Sequence, residues 1–171
     1  REHWLTDLAR QSERFFVGLK LPSYRVTVGW PLGGALSEKR RVLGQCFGSE
    51  VSTGNTHELF ITPVIDDPIY VAGILIHEMT HVIAGVDAGH KGRFIKISKQ
   101  IGLTKGKPTT ALPGDKLNEY LQKLVDRMGP YPHKAIKPTM KKKVTELKAL
   151  TLACDLCTCK IRMTVKWMTE A

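Results

Sequence analysis

A chain of 171 residues, 42% of them hydrophobic, is long enough to bury one ordinary core and leaves room for only a small appendage beside it. The longest uncharged apolar run, Ile69 to Ile76, falls short of the roughly 20 residues a membrane-spanning helix needs, which excludes a helical membrane protein. Twenty-six Lys and Arg against sixteen Asp and Glu give a net charge of +10, which favours polyanionic partners, nucleic acid first, although charge alone supports only non-specific binding.

The chain opens at Arg1 with no basic-then-apolar leader, so a cytoplasmic protein is expected. Over residues 1 to 20, Leu5, Leu8, Phe15, Phe16 and Leu19 form one apolar stripe, the pattern of an amphipathic helix stopped by Pro22. YRVTVGW then alternates Tyr24, Val26 and Val28 with polar residues, as a half-buried strand does, and Pro31, Gly33 and Gly34 mark a turn. Two more short strands are expected at 41 to 47 and 57 to 63, completing an antiparallel sheet, with Cys46 a small strand hydrophobe.

Asp66, Asp67 and Pro68 supply a helix start, and IYVAGILIHEMTHVIAG continues it to Gly85. Helical spacing returns at Phe94, Ile97 and Ile101, and again at Leu117, Leu121, Leu124 and Met128, with TKGKPTTALPGD read as loop between them. From Pro130 the composition turns proline-rich and then lysine-rich, an exposed linker. The expected division is a domain over 1–135 and a basic linker with a small tail over 136–171, where two strands flank Cys154, Cys157 and Cys159.

The central helix carries the chemistry. Residues four apart on a helix are offset by only about 40°, so His77 and His81 reach the same ion while Glu78 lies beside them. Neutral imidazoles can hold Zn²⁺ with one position left for water, which the metal acidifies, and Glu78 is placed to take the water's proton. A helix this apolar buries those three ionisable side chains at a cost unless a metal or partners satisfy them. For the third ligand two residues compete: His90, nine residues after His81, is preferred, and Asp87, six after it, is the alternative or a carboxylate that orients a ligand imidazole. His3, His57 and His133 lack such spacing and read as surface or structural histidines.

In this order of features the chain resembles the SprT-like metallopeptidases, the group that includes the Spartan-type proteases, and most closely versions from bacteriophages and mobile elements. The resemblance rests on HEMTH at 77 to 81, the Gly89–His90 pair with Phe94 after it, and a tail with CDLC at 154 to 157 and RMTVKW at 162 to 167. It implies an α+β, zincin-like fold, His77, His81 and His90 as zinc ligands, Glu78 as general base, and protein substrates, with cleavage carried out on DNA. Two departures stand out: Gly-His-Lys-Gly replaces the family's Gly-His-Gly, and the chain reaches Ala171 before the ribbon's second cysteine pair. Cys154 and Cys157, with Cys159 as a third thiol, supply an incomplete structural zinc site; two readings stand, a ribbon completed by sequence past Ala171, which is preferred, or a decayed ribbon whose cysteines are reactive surface thiols. Lys141, Lys142, Lys143, Lys160, Arg162 and Lys166 are the expected phosphate contacts. The rival function is a DNA- or protein-binding module whose metal only holds the fold; a zinc hydrolase with a non-protein substrate is the third.

Overall fold

The computed structural model describes residues 1–37, 40–138 and 149–164. The chain divides into two compact units, Arg1–Pro138 and Thr139–Ala171, and among the described residues it is α+β with four α-helices and three small sheets. The sequence places the division at residue 135. It falls later because the proline-rich run is not free: the Ile136 N–H donates to the Pro63 carbonyl at 2.9 Å, and the Ala135 N–H donates to Asp66 at 3.0 Å. Tyr131, read as linker, is buried with its ring 4.9 Å from Trp4.

The first helix, α1 (Glu2–Ser12), buries Leu5 and Leu8 of the expected stripe, and Trp4 and Ala9 beside them. It tightens to a 3-10 turn at Glu13–Phe16 and leaves the helix at Val17 in an extended conformation, short of the expected residue 20. Three strands follow: β1 (Tyr24–Val28), β2 (Gly44–Phe47) and β3 (His57–Ile61). The strand expected from residue 41 begins at Gly44, because the Val42 N–H is taken by Gly34 O in the preceding turn.

The sheet is mixed, not antiparallel. Its order is β1-β3-β2, with β2 antiparallel and β1 parallel to β3. A short connection brings β3 back antiparallel beside β2. Insertion between β1 and β2 then leaves β3 running with β1. As the central strand, β3 carries the sheet's fully buried Leu59 and Ile61, and β2 is left as an edge.

The second helix, α2 (Pro68–Ala84), begins where Asp67 accepts the Tyr70 N–H at 2.6 Å and Pro68 occupies the first turn. It is buried on almost every side, packing on α1, β2 and β3, on α3 (Arg93–Ile101) and on α4 (Asp115–Met128). The segment read as loop between these last two helices holds a small ribbon, β4 (Leu103–Lys105) paired with β5 (Leu112–Pro113). Strands of two and three residues are too short to show a periodicity; the Gly114 N–H to Gly102 O bond of 2.8 Å helps close this one. In the second unit, β6 (Ala149–Ala153) and β7 (Lys160–Thr164) pair antiparallel around the cysteine loop, as their sequence suggests.

Candidate metal centre

His77, Glu78 and His81 lie in the last two turns of α2, all buried. The helix ends at Gly85, whose φ of 88° reverses the chain while its N–H still bonds to His81 O. A 3-10 turn at Val86–Ala88 leads to Gly89, at φ 50° and ψ −134°, a backbone region only glycine enters at low cost. That pair of turns carries His90 back over α2. Its Nε2 comes to 3.1 Å from His77 Nε2 and 3.2 Å from His81 Nε2.

Bonds of about 2.0–2.1 Å to one tetrahedral ion place two nitrogens roughly 3.3 Å apart. The observed spacing matches that, and all three ligand atoms lie within 4.8 Å of one another. The group can therefore hold a metal ion. The Ala111 carbonyl, which can only accept, takes a hydrogen bond from His77 Nδ1 at 3.2 Å and leaves the Nε2 lone pair for the ion. Phe94, at the start of α3 and fully buried, is the floor: its ring is 4.3 Å from His81 in a stack and 5.0 Å from both His77 and His90.

Burial sets the electrostatics. It pushes the His77 pKa down to about 4 and that of His81 down to about 3, with neighbouring imidazoles adding to the effect and, at His77, the Ala111 carbonyl opposing it. His90 is lowered by burial as well. All three are neutral at physiological pH, the form that binds metal. Burial pushes Glu78 up to about 8, opposed by the Cys46 backbone N–H against its carboxylate.

These four side chains line one cleft of about 420 Å³. Its walls are the edge strand with its approach, from Arg41 to Cys46, and the segment from Thr109 to Leu112. Tyr70 and Ile74 of α2 add apolar surface to it.

The other candidates fall elsewhere. Asp87 is exposed on the turn and does not join the histidine group. Cys154, Cys157 and Cys159 are exposed, and among the described residues they do not converge as a three-ligand group. Backbone N–H of Leu156 and the Cys157 side chain do favour the Cys154 thiolate, lowering its pKa. Cys46 is buried in the first unit, its thiol pushed up to about 12 by burial. Lys160 and Arg162 are exposed on one face of β7; Lys141, Lys142, Lys143 and Lys166 lie outside the described residues. His57 and His133 bond to backbone carbonyls, Phe47 O and Pro63 O, and His3 sits on the surface beside Asp7, roles consistent with their lack of ligand spacing.

Sequence reasoning missed Ala111, because a backbone carbonyl leaves no trace in side-chain pattern, and it took Phe94 for a helix core residue without its seat under three imidazoles. No protein-family model, curated protein or solved structure matches this chain.

Proposed function

We propose that the chain is a zinc-dependent endopeptidase of SprT-like type, with a zincin-like first unit, acting on DNA-associated proteins. The observation that carries the reading is the convergence of three neutral imidazoles beside a buried glutamate in a single cleft. Among the described residues the group offers three protein ligands, the number found in catalytic zinc sites, whereas structural sites close with four. Zinc in that place would polarise a scissile carbonyl and acidify a water.

The chain's own residues supply the rest. The edge strand β2 forms one wall of the cleft, and its outer side pairs with no strand among the described residues, so a substrate in extended form can lie along it. Glu78 takes the proton of the attacking water and hands it to the leaving amine. Its raised pKa suits both halves of the task. A nearby dication favours the carboxylate at the start, and the dry surroundings favour the carboxylic acid that forms midway. DNA enters through the charge of +10 and the exposed Lys160 and Arg162.

In the zinc-loaded protein, Glu78→Gln is expected to keep its metal and fold while cleavage of an unfolded protein substrate falls by about 10²–10⁴-fold. Cleavage at the wild-type rate would turn the site into a structural one and the chain into a binding module.

A further inference from the structure

We propose that Gly44 is a positioning residue for Glu78: the missing side chain on the edge strand leaves the slot in which the carboxylate lies. The inference rests on Glu78 being the base of the proposed peptidase.

Gly44 faces α2. A Cβ built on it would stand 2.5 Å from Glu78 Oε1 and 2.8 Å from Glu78 Cγ, and 2.7 Å from Cγ2 of Ile74 one turn earlier. Real Cβ atoms do not approach heavy atoms so closely. The φ of Gly44 lies outside the left-handed region, so the backbone itself would accept alanine and the glycine supplies space alone.

The strand register explains what the space is for. Leu43 O accepts the Thr62 N–H, and residues 44 to 47 pair in order with 61 to 58. Alternation along an antiparallel pair then turns the N–H and C=O groups of Gly44 and Cys46 away from β3, toward the free edge. The Cys46 N–H, on that edge, is the backbone group that favours the Glu78 carboxylate against the effect of burial. Gly44 and Cys46 thus act on one side chain: the first leaves room for it over the strand, and the backbone N–H of the second favours its charged form. Glu78 is 6% exposed, so a displaced carboxylate has little solvent to retreat into. A methyl group at 44 must either displace the carboxylate or push α2 away from the sheet, moving His77 and His81 with it.

The test uses the zinc-loaded full chain in wild-type form and as Gly44→Ala, Glu78→Gln and the double variant. Bound metal, kcat and KM on a peptide substrate, and amide hydrogen exchange at Cys46 are measured. Gly44→Ala is expected to keep its zinc and its KM, lose about 10–100-fold in kcat, the scale of a misplaced catalytic group, and exchange the Cys46 amide faster. Added to Glu78→Gln, it should change the residual rate less than about twofold, because coupled residues are not additive. Equal losses in both backgrounds, or an unchanged Cys46 amide, would overturn the proposal.

Should Gly44→Ala lose its metal, the variant with Ile74→Ala removes the other close contact and leaves the one to Glu78. Recovery of zinc with kcat still low supports the proposal; full recovery of kcat assigns Gly44 to helix packing and overturns it. Absence of cleavage in the zinc-loaded wild type would sink the peptidase reading by itself, and Cys46 exchange in Gly44→Ala would still decide where the carboxylate is held.

Discussion

His77, His81 and His90 form a group that can hold one metal ion, and loss of His90 separates the two third-ligand candidates. His90→Ala is expected to weaken zinc binding by more than about 100-fold, since even contacts outside the ligand set cost 10–100-fold, whereas Asp87→Asn stays within about threefold; competition with a chromophoric chelator reads both. The same residues give the metal-free protein a pH signature. His77 and His81 fall from 6.5 to about 4 and about 3, so below pH 6.5 the unfolded chain takes up their protons first and stability drops. Glu78 rises from 4.5 to about 8, so between those values the folded chain holds a proton the unfolded chain has released, and stability drops as pH rises. Two histidines outweigh one glutamate up to pH 6.5, and the glutamate acts alone above it. Their joint contribution peaks near 6.5. Metal-free Glu78→Gln should therefore lose less melting temperature than wild type between about pH 6.5 and 8, a difference thermal denaturation measures directly.

At the scale of elements, α2 works because small residues let its neighbours approach. Gly73, one turn before His77, faces β5: a Cβ there would lie 2.9 Å from Pro113 Cδ. Gly73→Ala is expected to push the β4–β5 ribbon outward, cost about 1–3 kcal/mol by overpacking, and weaken metal binding through the Ala111 carbonyl that the segment carries to His77. Melting temperature and chelator competition report the two effects. On the opposite side, Phe94→Ala removes the floor under three rings; a loss of about 3–5 kcal/mol in chemical denaturation is expected. Helix α2 was legible almost to the residue, from Asp67 at its start to Gly85 at its end, because caps and apolar continuity are local signals. The β4–β5 ribbon was not, because its pairing is fixed by what it packs on.

For the molecule as a whole, charge is the property that acts at a distance. With a net +10, binding to a duplex oligonucleotide should weaken steeply as salt rises, the slope counting released counterions. Fluorescence anisotropy across a salt series checks it, and a flat response would remove DNA from the proposed function. No helix among the described residues is long and apolar enough to cross a membrane, as the hydropathy of the sequence indicates. The mixed sheet, by contrast, was misread as antiparallel: short alternating strands announce themselves, but which neighbour each one takes does not follow from its own residues.

The sequence by itself determined that His77, Glu78 and His81 share one buried helix end, since a pitch of about 3.6 residues puts positions four apart on one side wherever the helix sits. It also indicated the helix stop at Gly85 and two strands around the cysteine loop. Tertiary structure alone decided that His90 and not Asp87 arrives at the other two imidazoles, that Ala111 and Phe94 meet them, and that Gly44 and Cys46 line the same cleft. With His77 and His81, those residues come from four separate stretches of chain: 44–46, 77–81, 90–94 and 111. Their meeting depends on how α2 packs against β2, β5 and α3, and such long-range packing is a property of the assembled core that no window of sequence contains.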